Sequence, residues 1–200
     1  MGKGDETRTM IMDKAAAVFN LKGYHATSLS DVMRVTGLEK GGIYNHFASK
    51  EELETATFAH VVRQMRTALF ESVRGKRSAM ERLEAVCRLF ARIARGFPVP
   101  GGCPVMNTAI ETDHADSALT SLAREAMADW RRFLETIVRS GIERGELPGT
   151  SDAGELGAFV IATLEGAIML ANLHDDPTIV DKAASQLLSH LSTSATAAAQ

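Results

Sequence analysis

The stretch from Thr27 to Glu52, TSLSDVMRVTGLEKGGIYNHFASKEE, constrains the fold more tightly than any other part of the chain. Ser28 to Val35 sets Leu29, Val32, Met33 and Val35 at helical spacing, which predicts a short helix with one buried stripe. Thr27 or Ser28 supplies its N-cap, since either hydroxyl can accept from the first free backbone N–H groups. Gly37 gives the backbone freedom for a sharp turn. A second short helix, about Glu39 to His46, buries Ile43 and Phe47 and turns Lys40, Gly41, Gly42, Tyr44, Asn45 and His46 outward. Ser49 followed by Glu52 forms a capping box that opens the next helix.

Two helices joined by a tight turn form a helix-turn-helix, in which a short second helix fits a major groove and its first residues meet base edges and phosphates. At these residues the chain resembles the N-terminal domain of TetR-family transcriptional regulators. The blocks Gly23-Tyr24 with Thr27-Ser28, Thr36-Gly37-Leu38 with Lys40 to Phe47, and Ser49-Lys50-Glu51-Glu52-Leu53 are similar to that family's signature in order and spacing. The resemblance is specific over about residues 7 to 66 and beyond that rests on length and helix layout. Glu39 stands where the family often has Ser, and Met33 where a small residue is common.

Net charge is −3, which by itself does not suggest a nucleic-acid binder. Residues 1 to 66 hold nine Lys/Arg and eight Asp/Glu, a net of +1, so the remainder carries −4. No strongly basic face follows from that, and the case for DNA rests on motif geometry. No apolar run approaches the roughly 18 residues of a membrane span, and MGKGDETRT lacks a signal peptide's apolar segment. Two cysteines make no disulfide framework. The expected setting is a reducing cytoplasm, with no membrane partner.

Elsewhere every segment reads as helix, giving an all-α fold of about nine helices. After a loose start over residues 1 to 6, Thr7 to Lys22 spaces Ile11, Ala15, Val18 and Phe19 on one face and ends at Gly23. A long helix from about Lys50 to Arg74 links reader to body, and the Gly75–Ser78 stretch marks the seam. Ser78 with Glu81 makes a second capping box, and Pro104 opens a short helix. A long helix then runs from about Asp116 to Gly145-Glu-Leu-Pro-Gly149, and two more begin at Asp152 and Asp176-Pro177. The expected division is a helix-turn-helix DNA-binding domain over 1–50, a linking helix over 51–74, a helical effector-binding and dimerisation domain over 75–192, and a disordered tail over 193–200.

Three sites follow, each with a plainer alternative. At the reader's tip, Lys40, Tyr44 and Lys50 would contact phosphates, with Thr27 and Ser28 beside them, while Gly41 and Gly42 let the backbone approach DNA. Two glycines in a short helix cost roughly 1 kcal/mol each against Ala, so something close by is a sensible cause. Asn45 is a candidate base reader, its amide matching adenine. His46 is a backbone contact by the resemblance, or a partly exposed histidine beside Phe47. The plain alternative for all of them is a solvated surface helix.

The second site is a strip of small residues, Gly154, Ala158, Ala162 and Gly166, flanked by Phe159, Thr163, Leu164 and Leu170. It serves either packing within the protomer or a dimer. The resemblance implies that the last two helices, with Leu187 and Leu191, pair with their copies in a four-helix bundle, and a twofold dimer matches a palindromic operator.

The third site is in the body, where Phe90, Phe97, Met106, Met127, Trp130, Phe133 and Met169 form core or, as the resemblance implies, line a small-molecule pocket. Cys103 begins a helix, where the dipole's positive end favours thiolate and some TetR-like regulators sense oxidants or electrophiles; otherwise it is a small buried residue in a tight loop. Glu111 with His114 and the His174-Asp175-Asp176 cluster lack a third ligand at recognisable spacing, so no metal is expected. No cofactor motif or catalytic signature appears, and the chain is not expected to be an enzyme.

These readings converge on a DNA-binding regulator, most simply a repressor released from a palindromic operator by an unknown small-molecule effector. The alternatives are an unregulated DNA-binding or activator protein whose C-terminal domain only dimerises or recruits partners, and a helical enzyme with a vestigial reader.

Overall fold

The computed structural model of the chain describes residues 2–113, 115–147 and 152–197. These form nine helices and no strand. The helices are α1 (Lys3–Lys22), α2 (Leu29–Thr36), α3 (Lys40–Tyr44), α4 (Lys50–Val73), α5 (Ala79–Ala94), α6 (Pro104–Glu111), α7 (Ala118–Glu143), α8 (Ala153–His174) and α9 (Thr178–Ala197). Helix α1 begins at Lys3, earlier than expected, with Asp5 and Glu6 in its first turn against the dipole's positive end. Helix α9 runs on to Ala197, into the stretch expected to be a loose tail, and residues 198–200 lie outside the described part. The expected breaker Pro148-Gly149 and the candidate ligand His114 also lie outside it.

Local capping chemistry sets several helix starts. Ser28, not Thr27, caps α2: its hydroxyl accepts from Asp31 N and the Asp31 carboxylate accepts from Ser28 N, a complete capping box. Ser78 and Glu81 do the same for α5. At α4 the box is only half made. Ser49 Oγ accepts from Glu52 N, but the Glu52 carboxylate turns outward to Ala48 N and Arg8. Gly37 closes α2 in the left-handed region at φ 74°, as a sharp interhelical turn requires.

Helix α4 packs against α1 at one end and against α5 and α7 along the rest. One continuous core runs from Ile11, Phe19 and Phe47 through Phe58 and Met65 to Phe90, Leu134 and Ile168. Helix α8 is apolar around most of its circumference and is long and apolar enough to cross a membrane. Here its Gly157, Val160, Leu164, Ile168 and Ala171 face is buried against α5, α7 and α9.

Two glycines hold α7 close to its neighbours. A Cβ on Gly141 would sit 2.6 Å from the Ala79 Cβ and 2.9 Å from Leu147 Cδ1; one on Gly157 would sit 3.2 Å from the Glu135 backbone nitrogen. Gly157 is thus the small residue at the α7–α8 crossing, one position from the expected strip. Gly141→Ala should destabilise the protein by about 1–3 kcal/mol in denaturant unfolding, although Gly to Ala inside an open helix gains roughly 1 kcal/mol.

Candidate DNA-reading tip and effector cavity

The tip is small and open. Helix α3 holds five residues and is anchored by Ile43, which is buried together with Phe47. Lys40, Gly41, Tyr44 and Asn45 are exposed, Gly42 and His46 half-buried, and the Lys40 ammonium lies 5.7 Å from the centre of the Tyr44 ring. Nothing lies within 4 Å of a Cβ placed on Gly41, and one on Gly42 would make ordinary contact with Leu38. The protomer itself therefore gives no reason for either glycine.

Arg8 of α1 pins this tip from behind. Its guanidinium donates to the His46 carbonyl, pairs with Glu52 at 3.2 Å and lies 4.2 Å from the centre of the Phe47 ring. No spacing rule marks Arg8 in the sequence, because its partners are 38 and 44 residues away. Two expected contacts are placed differently. Thr27 is fully buried and its hydroxyl donates to the Gly23 carbonyl at 2.6 Å, so it closes the α1–α2 turn and offers no surface to a duplex. Lys50 donates to the Tyr24 carbonyl at 3.2 Å and pairs with Glu54 at 3.0 Å, leaving one of the three ammonium hydrogens free.

The tip is tied to the body through the same turn. Glu111, at the end of α6, accepts from Tyr24 N at 2.9 Å and His25 N at 2.7 Å, which engages the carboxylate considered for a metal. Asn20 donates to the carbonyls of Pro100 and Gly102, and Asn107 donates to Asn20 Oδ1. The Tyr24 ring stacks on Phe19 at 4.7 Å and meets Phe58 edge-on at 6.2 Å. Burial pushes the Tyr24 phenol far above its usual range, with Glu111 and Glu54 adding to it.

Between α4 and α7 lies a cavity of about 500 Å³. Val62, Leu69, Phe70, Val73, Ala126, Trp130, Phe133 and Ile137 give it an apolar wall, and Arg66, Lys76, Arg82, Asp129 and Arg132 border it. Phe70 and Phe133 meet edge-on at 5.2 Å. Of the eight expected pocket residues, only Trp130 and Phe133 line it. Phe90 is wholly buried behind Trp130, its ring 5.4 Å away. Phe97 lies under Arg92 and borders a separate depression of about 570 Å³ with His60 and Arg63. Met106 and Met127 pack on the core outside the cavity, and Met169 points outward from α8.

Cys103 is likewise not a cavity residue. Its side chain is completely buried at the start of α6, and its thiol is pushed well up from 9.0, first by burial and then by Glu165. Of the two readings of Cys103, the small buried residue fits and the dipole-favoured thiolate does not: desolvation and a neighbouring carboxylate outweigh the backbone N–H groups of Met106 and Val105. Neither carboxylate oxygen of the buried Glu165 has a conventional hydrogen-bond partner. Burial raises its pKa from 4.5 to about 7, with the Cys103 thiol a weaker opposing influence.

On the α8 face turned away from the core, Phe159 (46% exposed), Leu170 (41%) and Leu173 (73%) line up with Ala162, Thr163 and Gly166. Gly154 and Ala158 sit half-buried toward its start. Leu187 and Leu191 are buried inside the protomer at 3% and 2% exposure, contrary to their expected place in an interface; they pack α9 onto the body.

Known proteins share this architecture. Residues 11–57 match "Bacterial regulatory proteins, tetR family", and residues 79–187 match "Tetracyclin repressor-like, C-terminal domain". The chain belongs to the TetR family. The HTH-type transcriptional repressor ComR of Escherichia coli is 30% identical to it over 80% of this chain and 76% of that one. A TetR transcriptional regulator from Chloroflexus aurantiacus superposes with a TM-score of 0.89 at 40% identity, covering 95% of this chain and 96% of that one. The TetR-family regulator from Cytophaga hutchinsonii gives 0.84 at 33%, covering 96% and 98%. As a member of this family, the chain is a DNA-binding transcriptional regulator.

The buried Glu165 gives this TetR protein a testable pH dependence. A carboxyl whose folded pKa lies above its unfolded value contributes stability that is present below the unfolded pKa and is lost as pH rises through the folded one. The window here runs from 4.5 to about 7. Between about pH 4.5 and pH 7 the native protein should therefore lose stability relative to Glu165→Gln, the gap approaching about 3 kcal/mol in denaturant titrations and levelling off above that.

Proposed function

We propose that the protein represses transcription as a homodimer on a palindromic operator and leaves it when a small-molecule effector occupies the cavity between α4 and α7. Residues 1–50 act as the reader, 51–74 as the link and 75–192 as the effector-binding and dimerising body. The observation that carries the reading is the bare tip of α3, where two glycines lack any purpose inside the protomer. Close approach of a phosphate backbone gives them one.

Lys40, Tyr44 and the last free hydrogen of Lys50 supply phosphate contacts, Ser28 and His46 flank them, and Asn45 reads a base edge. Two copies joined through the exposed apolar face of α8 would hold their tips about 34 Å apart, one turn of DNA. Phe159, Ala162, Thr163, Gly166 and Leu170 form the centre of that face, with Gly154 and Ala158 at its edge. The site of action is the bacterial cytoplasm, where the chromosome lies.

Genomic footprinting with the purified protein identifies the operator, and fluorescence anisotropy on that duplex then separates the roles. Gly41→Ala should stabilise the free protein by up to about 1 kcal/mol yet weaken operator binding, because the added methyl enters open space that the duplex fills. Lys40→Ala should weaken binding to all sequences alike and lower the salt slope by about one unit. Asn45→Ala should lose discrimination at one base position; equal loss on every sequence would remove it as a reader. Leu170→Glu places a charge in the proposed interface and should give monomers in sedimentation, with operator affinity lost in parallel.

A further inference from the structure

The charges around the cavity are unbalanced in a way that points to the chemistry of its occupant. Four cations, Arg66, Lys76, Arg82 and Arg132, border it against one carboxylate, Asp129, and Arg132 is already paired with that carboxylate. Arg66, Lys76 and Arg82 make no ion pair among the described residues. Arg66 lies 5.7 Å from the centre of the Phe70 ring, and Arg82 Nε donates to the Lys76 carbonyl at 3.2 Å.

The acidic groups nearby are engaged elsewhere. Glu81 accepts from the backbone N–H groups of Arg77 and Ser78, Glu146 pairs with Arg144 and accepts from Ala79 N, and Glu71 pairs with Arg74. Three cations at the edge of an apolar chamber repel one another, and Lys76 and Arg82 are met only by weaker, longer-range attraction from Glu81 and Glu146, carboxylates whose direct bonds go elsewhere.

We propose that this cavity takes an amphipathic carboxylate: an aliphatic chain or flat ring seated among Leu69, Phe70, Trp130, Phe133 and Ile137, with its anionic head at Arg66, Lys76 and Arg82. The inference rests on the reading of the cavity as the effector site and adds its ligand class. A volume of about 500 Å³ falls within the range of small-molecule pockets. Guanidinium groups match a carboxylate by two parallel hydrogen bonds, so the head group adds selectivity to what the chain contributes by burial. The occupant would touch α4 along Leu69 and Phe70, the helix whose other end holds the Tyr24 turn through Lys50.

Trp130 is the only tryptophan in the chain and lines the cavity, so its fluorescence reports occupancy directly. The full-length protein is titrated with decanoate, 1-decanol and decyltrimethylammonium, each below its micellar concentration. Decanoate should shift Trp130 emission saturably and bind about tenfold more tightly than decanol, with the ammonium weakest. Arg66→Gln combined with Arg82→Gln should reduce decanoate affinity by about tenfold and leave decanol within about twofold. Arg66→Gln alone, at an exposed position, serves as the folded control if the double variant melts early.

Decanol or the ammonium binding as tightly as decanoate overturns the proposal, as does an unchanged preference in the variants or no response to any of the three. Operator release is followed in the same samples. Release by decanol or the ammonium through Trp130 would leave the cavity as effector site and discard only the ligand class. Binding of decanoate without any change in operator affinity would keep the ligand class and discard the effector role.

Discussion

The turn from Gly23 to Thr27 is the joint on which the structure depends. Its two backbone N–H groups at Tyr24 and His25 are held by Glu111 from α6, and its Tyr24 carbonyl by Lys50 from α4. The Tyr24 ring is clasped between Phe19 of α1 and Phe58 of α4. Gly23 makes the approach of α6 possible: its φ is 88°, and a Cβ there would fall 2.9 Å from a Glu111 carboxylate oxygen. Thr27, fully buried, folds its hydroxyl back onto the Gly23 carbonyl and keeps the turn tight. Reader and body therefore meet at a few charge-assisted hydrogen bonds and one aromatic cluster. Such a joint is stiff while intact and depends on two helices, α6 of the body and the linking helix α4.

Helix α8 shows how one element serves two demands with a similar composition. Its inward face, Gly157 through Ala171, is core; its outward face, Phe159 through Leu173, is nearly as apolar and stays largely exposed, with Phe159 meeting the His190 ring edge-on at 6.0 Å. Hydrophobic periodicity separates faces only when one of them is polar. That is why composition alone gives this helix the look of a membrane span. The carboxyl group of Glu165 on its buried side, held by burial at a pKa of about 7, is a further mark of a helix held by specific protein neighbours. Burial suppresses the ionisation of both Cys103 and Glu165; the carboxylate pushes the thiol further up, while the thiol weakly favours the ionised carboxylate. The pair is better described as a desolvated polar seam in the core than as a reactive centre.

What the sequence made legible was the local chemistry. Ser78 with Glu81 announces its helix because a capping box is complete within four residues, whereas at α2 the sequence left Thr27 and Ser28 as rival caps and only the fold pairs Ser28 with Asp31. Gly37 and Gly23 announce turns, and Ile43 with Phe47 shows which side of α3 faces inward. The tip residues Lys40 to Asn45 could be picked out for the same reason: a short helix with one buried anchor exposes the rest. The reader's support was not legible. Arg8 grips His46, Phe47 and Glu52 from far away in sequence, and Glu111 reaches Tyr24 across more than half the reader and the whole of α4 and α5. The cavity was only a third sort of guess. Trp130 and Phe133 face it while Phe90, one layer deeper, does not, because the angle between α4 and α7 decides which aromatic ring meets open space. Leu187 and Leu191 were misplaced for a related reason. A leucine stripe on α9 fits a dimer or a core equally well, and the protomer already needed it to seat that helix.

The magnitudes make the proposed control plausible at this joint. Weakening an operator complex a hundredfold takes a preference of roughly 2.7 kcal/mol for the non-binding conformer. A hydrogen bond to a charged group contributes about 1.5–3 kcal/mol, toward the lower end where water competes, as it does at His25. Losing the pair that Glu111 makes is thus of the required size, while the Phe19–Tyr24–Phe58 cluster stays packed. Helix α4 is the element able to convey such a change, since its C-terminal half walls the cavity and its first residue holds the Tyr24 carbonyl. A molecule that wedges α4 from α7 acts on the far end of a rigid rod 24 residues long. Small tilts at the wall become displacements at Lys50, and the weakest attachments of the turn respond before the hydrophobic ones do.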